Sequence, residues 1–397
     1  MPTHKVEDMA VQSHRSGVYR KTPTGYTAFF PRTLPPQPPV DLSGGGLQLL
    51  LSEADRALGA VNTITSILPN PDLFVGMFIQ KEALLSSQIE GTQSSLVDVL
   101  GIDEETEPTV DVGEVVNYVK AMRYGLDRIQ KDDFPMSLRL LREIHAVLMK
   151  QVRGGKPALT PGDFRTGQNW IGGSNLQTAR FIPPPSDVMQ EALHEFEKYL
   201  HVKDDLPPLV RCALIHYQFE TIHPFNDGNG RVGRLLITFY LVWKKILEQP
   251  MLYLSAYLKA HQQEYYDRLM QVRNSGNYEA WTRFFLEGII TVSGLVVQTT
   301  RRIQSLESTD TERLLKAGVG HSGLLLMRLL LKQPVLRVKD VEKSVGVSYT
   351  KANNIVAIAE RLGMLKQISK GRRNRKYAYQ AYIDILSEGT ELPGAVE

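Results

Sequence analysis

Cysteine is nearly missing from this chain, whose 397 residues include only Cys212. A single cysteine excludes an internal disulfide, as is typical of proteins in a reducing compartment. Because Cys212 lies in an apolar segment with helical spacing, we expect a small buried side chain rather than a reactive thiol. These features favour a cytoplasmic protein.

Long hydrophobic runs are missing as well. The longest, at residues 235–243 and 324–331, are shorter than the roughly 20 apolar residues that a helix needs to cross a bilayer. The first residues, Met1-Pro-Thr-His-Lys-Val-Glu-Asp, lack the apolar core of a secretory signal. We therefore expect no membrane partner.

A large net charge is also absent, since 46 Lys and Arg against 43 Asp and Glu leave +3. The charge is unevenly distributed, however. Residues 332–379 contain 12 Lys and Arg against 3 Asp and Glu, a surplus of 9 that leaves −6 for the remainder. The C-terminal part therefore has a different electrostatic role from the rest of the chain.

The most informative stretch is residues 223–234, His-Pro-Phe-Asn-Asp-Gly-Asn-Gly-Arg-Val-Gly-Arg. The segment before it, residues 206–219, has apolar residues at helical spacing, and residues 232–243 after it are apolar nearly all round. Two helices are predicted, the second of them buried. Pro224 ends the first helix, and residues 226–230 predict a tight turn.

This turn has the composition of a phosphate site. Gly228 and Gly230 can take backbone angles that point consecutive N–H groups at one anion, next to the start of the second helix. Arg231 and Arg234 are three residues apart, on one helix face, where guanidinium groups can bind phosphate oxygens bidentately.

Two further side chains complete the expected chemistry. Asp227 is an oxygen ligand beside the anion, as Mg²⁺ on a phosphate requires. His223 is the residue here whose neutral ring can accept a proton near pH 7. Together the stretch predicts phosphate transfer with His223 as the base.

Residues 223–234 match every fixed position of the signature His-Pro-Phe-x-x-Gly-Asn-Gly-Arg-x-x-Arg, so the chain resembles the Fic family. The resemblance implies a protein adenylyltransferase, which moves AMP from ATP, with Mg²⁺, to a Tyr, Thr or Ser hydroxyl of a target protein or of the enzyme itself. His223 would be catalytic and Asp227 would hold the metal. The residues implied to bind ATP or its phosphates are Gly228, Asn229, Gly230, Arg231, Val232, Gly233, Arg234 and, in the inhibited state, Glu90.

A second resemblance lies upstream, where Ser86-Ser-Gln-Ile-Glu90-Gly91 fits the family's inhibitory pattern Ser/Thr-x-x-x-Glu-Gly/Asn. It falls at the end of a helix predicted over residues 72–90, with Gly91 as its terminator. The resemblance implies that Ser86 and Glu90 are inhibitory. A carboxylate docked on Arg234 occupies the guanidinium that the terminal phosphate of ATP needs, and it repels that phosphate.

Residues 160–185 are rich in Gly, Asn and Ser, and predict short strands at 169–171 and 179–182 around a turn. A hairpin here resembles the Fic flap, which positions the target's extended backbone by strand pairing. Its candidate contacts are Trp170, Ile171 and Gly172.

The pair Tyr265-Tyr266 resembles a recurrent family feature near the adenine and ribose, with core packing as the alternative interpretation.

The rest of the chain is predicted mostly helical, so the fold class is mostly α: a Fic helical core with a small β-hairpin flap and a C-terminal winged helix-turn-helix domain. Residues 31–39 are proline-rich and predict extended chain on the surface. Further helices are predicted over residues 47–68, 110–129, 138–151, 186–201, 253–269 and 278–295.

The C-terminal part resembles a winged helix. Residues 338–363 predict a helix, a turn at Gly346 and a second helix capped by Ser348. Strands at 365–369 and 375–379 enclose a basic wing at 370–374. The basic surplus favours nucleic acid, but winged helices also bind proteins or dimerise, so DNA and protein remain equal alternatives.

We predict four parts: an N-terminal extension with the inhibitory helix (1–109), the catalytic domain (110–298), a polar and loosely helical linker (299–320) and the winged-helix domain (321–397). Four alternatives to AMP transfer stay open: phosphorylation with ATP bound in reverse, transfer of another nucleotide, removal of AMP at the same site, and a non-enzymatic nucleotide-sensing DNA-binding regulator. The sequence does not decide between a monomer and a homodimer.

Overall fold

The computed structural model describes residues 15–68, 71–101, 108–150, 160–369, 371 and 375–391, and these are mostly helical. Their α-helices, in chain order, are α1 (Leu47–Ser66), α2 (Pro71–Ile89), α3 (Leu96–Leu100), α4 (Val110–Gln130), α5 (Leu138–Leu148), α6 (Ser186–His201), α7 (Pro208–Ile222), α8 (Asn229–Trp243), α9 (Ser255–Ala260), α10 (Gln262–Ser275), α11 (Tyr278–Lys316), α12 (His321–Lys332), α13 (Val338–Val345), α14 (Tyr349–Arg361) and α15 (Gln380–Ser387). Their strands are β1 (Gly17–Lys21), β2 (Thr27–Pro31), β3 (Val335–Arg337), β4 (Lys366–Gln367) and β5 (Lys376–Ala378).

Contacts between Cα atoms divide the chain into two compact units. The first is formed by the described parts of residues 1–56, 120–246 and 260–289. The second is formed by those of residues 57–119, 247–259 and 290–397.

The centre of the first unit is the pair α7 and α8. Every residue of α7 from Leu209 to Ile222 is buried, and so is nearly all of α8. The two helices can approach closely because Gly233 faces α7: a Cβ at this position would lie 2.2 Å from the Glu220 Oε1. Cys212 of α7 is 1% exposed, as predicted, and burial raises the pKa of its thiol.

The N-terminal segment departs from the sequence prediction. Strands β1 and β2 pair antiparallel in a hairpin that the sequence did not predict. Phe29 provides the physical reason: it is 0% exposed, its ring lies 5.9 Å from that of Phe181, and its N–H donates to the Ile182 carbonyl at 3.0 Å. Burial of this aromatic residue outweighs the polar composition around it.

Two predicted helices have different limits in the structure. The helix predicted over 253–269 is interrupted at His261, which has φ −116° and ψ 36°. The helix predicted over 278–295 continues as α11 to Lys316, so most of the predicted linker is regular helix. By length and composition alone α11 could cross a bilayer, but 56% of its most apolar window is buried, which makes it weak support for a membrane span.

In the second unit, α2 buries polar as well as apolar side chains. The Lys81 ammonium donates to the Glu388 carbonyl at 2.7 Å, and the Gln88 amide donates to the Thr390 carbonyl at 3.0 Å. The Lys259 ammonium donates to the Gln88 Oε1 at 2.7 Å. Hydrogen bonds therefore connect α2 to α9 and to the segment that follows α15.

Helices α13 and α14 and then strands β4 and β5 follow the predicted order. Helix α12 and strand β3 precede them without having been predicted, and the strands pair antiparallel as β3-β5-β4. Gly346 ends α13 with φ 70°, and the Ser348 hydroxyl accepts from the Lys351 N–H at 3.4 Å, so the predicted turn and cap are confirmed. Apart from residue 371, the predicted wing lies outside the described residues. The winged-helix assignment and the four predicted domain boundaries stay predictions.

The helix α4 offers a matched test of this packing. At Gly125 an added Cβ would lie 2.4 Å from the Phe239 Cζ, whereas at Gly113 it would meet nothing within 4 Å. We expect Gly125→Ala to lower the free energy of unfolding by about 1–3 kcal/mol through overpacking. Gly113→Ala should raise it by about 0.5–1 kcal/mol through helix propensity. Urea unfolding measures both, and equal midpoints for the two variants would contradict the close contact at Phe239.

Candidate functional site

The candidate site is the loop that joins α7 to α8. Helix α7 ends because His223 adopts the left-handed conformation, with φ 51° and ψ 61°, and Pro224 follows it. The His223 N–H donates to the Phe219 carbonyl at 2.9 Å and closes the last turn. Left-handed backbone is uncommon for a residue other than glycine and costs about 1–3 kcal/mol, so it persists where the surroundings enforce it.

The loop's carbonyl groups are occupied by side chains from outside it. The His223 carbonyl accepts from the Arg165 Nε at 2.9 Å, and the Asp227 carbonyl lies 3.0 Å from the His145 Nε2. The Phe225 carbonyl accepts from the Asn169 amide at 2.9 Å and from the Asn229 amide at 2.7 Å. These bonds fix the direction in which the loop's peptide groups point.

The N–H groups at the start of α8 have a different environment. The N-cap residue is Gly228, with φ 78°, and it has no side chain to accept from them, while its own N–H donates to the Asp227 Oδ1 at 2.6 Å. The first N–H groups of a helix have no partner inside the helix, and together with the helix dipole they favour an anion. The backbone at this helix terminus is therefore compatible with an anion site, which stays a prediction.

Three details of the predicted phosphate site change. Asn229 and Gly230 form the first turn of α8 rather than a loop, so Gly230 is helical and only Gly228 uses a positive φ. The Val232 N–H donates to the Gly228 carbonyl at 3.0 Å, which removes it as a phosphate donor. Gly233 has a packing role against Glu220, and its carbonyl lies 2.9 Å from the His216 Nδ1.

The arginines of α8 are enclosed rather than solvated. Arg231 is 4% exposed and Arg234 is 3% exposed. The Arg231 guanidinium lies 3.6 Å from the Asp227 carboxylate, whose side chain is 48% exposed. Both guanidinium groups are therefore largely removed from solvent at the start of α8, and their binding of phosphate stays a prediction.

The electrostatics of His223 follow from its enclosure. Its pKa is lowered to about 3, chiefly by burial and further by the positive charges of Arg273 and Arg165. A hydrogen bond to the Glu220 carbonyl opposes this shift by raising the pKa. The residue keeps part of its surface exposed, although its Nδ1 is buried. The ring is therefore neutral at pH 7.

The predicted flap is present in a shorter form. Its strands reduce to one antiparallel bridge, in which the Ile171 N–H donates to the Phe181 carbonyl at 2.9 Å and the Phe181 N–H to the Ile171 carbonyl at 3.1 Å. The bridge stops there because Gly172 and Gly173 have φ values of 69° and 74° and leave the extended conformation. Trp170 is 40% exposed.

The predicted adenine contacts separate into two environments. Tyr265 is 1% exposed, and its hydroxyl lies 2.8 Å from the His216 Nε2, so it belongs to the core. Tyr266 is half-buried. The core alternative is correct for Tyr265, and a base contact by Tyr266 stays a prediction.

The predicted inhibitory residues lie at the end of α2. Ser86 is 0% exposed, whereas Glu90 follows the last helical residue and is exposed. Gly91 has φ 95° and turns the chain away, as predicted for a terminator. The inhibitory role of both residues stays a prediction.

Sequence reasoning missed three buried residues around the loop: Arg165, His145 and Arg273. His145 could have been noticed, since it occupies the apolar face of α5 with Leu141 and Leu148. Its pKa is lowered to about 4, chiefly by burial, and its ring stacks on that of Phe225 at 3.7 Å. Nothing local in the sequence marks Arg165 as buried.

Comparison with known proteins agrees with this geometry. Residues 48–127 match the model of the Fic/DOC family N-terminal region, and residues 135–241 match that of the Fic/DOC family. Proteins named Protein adenylyltransferase Fic from Aedes aegypti and Culex quinquefasciatus are 31% and 32% identical over 225 residues. These matches cover 52% of this chain and 40% of each relative, so the chain spans about two fifths of the length of these curated relatives.

Two solved structures share the fold. A Fic family protein from Desulfovibrio desulfuricans G20 aligns with a TM-score of 0.53 at 20% identity, over 84% of this chain and 95% of that one. A Fic domain containing signaling protein from Bacteroides thetaiotaomicron VPI-5482 aligns with a TM-score of 0.51 at 16% identity, over 63% of this chain and 97% of that one. The fold class is thereby confirmed as mostly helical and Fic-like.

Proposed function

We propose, from the Fic/DOC family domain that this chain carries and from the geometry of the α7–α8 loop, that the protein is an adenylyltransferase acting on proteins. It transfers AMP from ATP to a Tyr, Thr or Ser hydroxyl of a target protein or of itself. The single observation that supports this most is the position of a neutral His223 in the same short loop as the open N-terminus of α8. A base and an anion site are thereby held at a fixed separation.

The phosphates of ATP bind at the start of α8. The backbone N–H groups around Gly228, Asn229 and Gly230 bind the α- and β-phosphates, with phosphate replacing the Asp227 carboxylate to which the Gly228 N–H donates at 2.6 Å. Arg231 and Arg234 bind the remaining phosphate oxygens, and their enclosure strengthens that attraction because water screens it less.

The chemical step is a proton transfer coupled to an in-line displacement. The hydroxyl oxygen of the target attacks the α-phosphorus, and its proton passes to an unprotonated ring nitrogen of His223. The bond between the α-phosphorus and the bridging oxygen breaks, and pyrophosphate leaves. The N–H groups of α8 stabilise the charge that develops on the α-phosphate oxygens.

The residues at the site fit Mg²⁺ in its usual protein environment, which is one or two carboxylates with substrate phosphates as the other ligands. Asp227 is the carboxylate that would hold it: it is exposed at the loop, and it precedes the N-cap of α8. The described residues contain no cluster of three or more His, Cys, Asp or Glu suited to a metal, so the ion would depend on ATP. When bound, Mg²⁺ would neutralise phosphate charge.

The target protein would lie along the flap. The exposed Trp170 indole and the backbone of Ile171 and Gly172 are the proposed contacts, because extended chain can pair with the edge of such a hairpin. This arrangement presents a hydroxyl to His223.

Replacing the base tests the mechanism. We expect His223→Ala to lower AMP transfer by about 10²–10⁴-fold, since it removes general base catalysis. ATP affinity, measured by calorimetry, should change little because the N–H groups of α8 remain. The matched control is His194→Ala, on the exposed surface of α6, which should transfer AMP at the wild-type rate. Full activity of His223→Ala would remove His223 from the mechanism.

Three other reactions share these residues. Phosphorylation would leave phosphate rather than AMP on the target, which mass spectrometry distinguishes. If another nucleotide is the donor, competition among nucleotides identifies it. If the site instead removes AMP, with Glu90 orienting a water, incubation with a modified target reveals the loss of AMP. The family match and the loop geometry support AMP transfer first.

We further propose that Glu90 inhibits by competing with the terminal phosphate of ATP for Arg234, with Ser86 as part of the same inhibitory element. Glu90 directly follows the last residue of α2 and is exposed, whereas hydrogen bonds within the second unit hold the body of α2 in place. The carboxylate can therefore act without unfolding the helix.

Substitutions at Glu90 separate charge from shape. Since the argument rests on charge, Glu90→Gly and Glu90→Gln should both raise AMP transfer, whereas Glu90→Asp should stay near wild type. Glu53→Gln, on the exposed face of α1, is the matched control and should have no effect. Labelled ATP with purified protein measures all four, and an inactive Glu90→Gln would contradict the charge argument.

The C-terminal domain would bind a macromolecule, and its charge favours DNA. Tyr349 is 52% exposed at the start of α14, and Lys351 is exposed beside it, the region from which a recognition helix contacts bases. The alternatives are a protein partner, including a second copy of this chain, and a regulator in which the Fic domain only senses nucleotide.

A salt series decides between DNA and protein. If DNA is the partner, affinity for duplex DNA should fall by about 10³–10⁵-fold between 50 and 200 mM salt for 6–10 phosphate contacts. Lys351→Ala should weaken DNA binding. Lys316→Ala, which changes an exposed side chain at the end of α11, should not. Nucleotide-dependent DNA binding that persists in His223→Ala would favour the sensor, and no binding at low salt would favour a protein partner.

A further inference from the structure

Arg165 has an unusual environment for an arginine. It is 1% exposed and ranks among the largest fully buried side chains of the described residues. Every hydrogen bond that its guanidinium makes there goes to a backbone carbonyl: that of His223 at 2.9 Å, Gly167 at 3.0 Å, Pro184 at 2.6 Å and Ile222 at 3.4 Å. No carboxylate of the described residues balances its charge.

These carbonyls belong to functionally different segments. Ile222 and His223 form the end of α7, whereas Gly167 precedes the flap bridge and Pro184 follows it. The Arg165 backbone adds a further link, because its N–H donates to the Pro224 carbonyl at 2.8 Å. One residue thus joins both ends of the flap to the backbone of the residue that carries the base.

The cost of this arrangement argues for a role beyond filling space. A buried charge is strongly unfavourable unless hydrogen bonds replace its hydration, and an apolar side chain would fill the volume without that cost. Burial lowers the pKa of Arg165 to about 10, so it remains charged at pH 7. The planar guanidinium, with donors in fixed directions, can satisfy several carbonyls at once, which a lysine ammonium does less well.

We infer that Arg165 is a positioning residue that sets the separation between the flap-bound target hydroxyl and the His223 ring. The inference rests on the proposed AMP transfer, with the flap as the target site. Loss of Arg165 then misplaces the two reacting groups relative to each other. The phosphate site is affected less, because the start of α8 is held by Asn229 and His145 through their bonds to Phe225 and Asp227.

The kinetic experiment compares Arg165→Lys and Arg165→Gln with variants of Arg211. Arg211 is also a buried arginine, 5% exposed, but it bonds to Val202 and Asp204 at the other end of α7. We expect Arg165→Gln to lower kcat about 100-fold, the effect of about 1 Å of misplacement, with KM for ATP nearly unchanged. Arg165→Lys should fall between this variant and wild type. Arg211→Gln should melt at a lower temperature with kcat unchanged.

The second measurement is NMR titration of the His223 ring without substrate. The charged groups that act on this ring are Arg165 from the flap segment and Arg273 from α10, with the Glu220 carbonyl of α7 opposing them. Arg165→Gln should therefore move the pH at which His223 protonates upward, while Arg165→Lys and Arg211→Gln should leave it low.

The outcomes separate the positioning role from the proposed function. If the wild-type protein transfers no AMP, two NMR measurements still test whether Arg165 fixes this backbone. They are the titration of the His223 ring and the chemical shifts of the backbone amides of Ile222, His223 and Phe225. If Arg165→Gln does not fold, Arg165→Lys carries the kinetic test. A folded Arg165→Lys or Arg165→Gln with wild-type kcat, or an Arg165→Gln whose His223 titration and loop shifts equal those of wild type, would overturn the inference.

Discussion

The structure depends on the left-handed backbone at His223. This single conformation ends α7, directs the chain through Pro224 and allows α8 to begin at Asn229. It is unfavourable for a histidine, and it is maintained because the surrounding side chains bind the adjacent carbonyls. The positions of the proposed base and of the proposed anion-binding helix terminus therefore both follow from one backbone constraint.

The same constraint explains why charged and polar residues are buried here. A loop whose carbonyl groups were free would turn them toward an incoming phosphate and repel it. Arg165, Asn169, Asn229 and His145 occupy those oxygens, so the N–H groups at the start of α8 determine the local potential. In the proposed mechanism these groups would favour anion binding without contacting the anion.

Much of this was visible in the sequence because the signals are local. Apolar periodicity predicted α6, α7 and α8 to within about three residues of their ends, and the residues at 223–234 identified the loop from which the site chemistry is proposed. One failure is local, because positive φ values at Gly172 and Gly173 shortened the flap strands. Another involves a long-range contact, since burial of Phe29 created the β1–β2 hairpin. Arg165 was missed for the same reason, since its partners are spread over residues 167–223.

The polar interior of α2 bears on the proposed inhibition by Glu90. Glu82 accepts hydrogen bonds from the Tyr118 hydroxyl at 3.1 Å and from the Ser255 N–H at 3.1 Å, and Lys81 and Gln88 are bound to the carbonyls of Glu388 and Thr390. Displacing α2 would leave several of these groups buried and unsatisfied, at about 1–3 kcal/mol each. Small motions of the helix are thus opposed by many bonds at once, and the position of Glu90 is determined by the second unit as a whole. An inhibitory carboxylate placed in this way would be released by a rearrangement of that unit more readily than by local fraying.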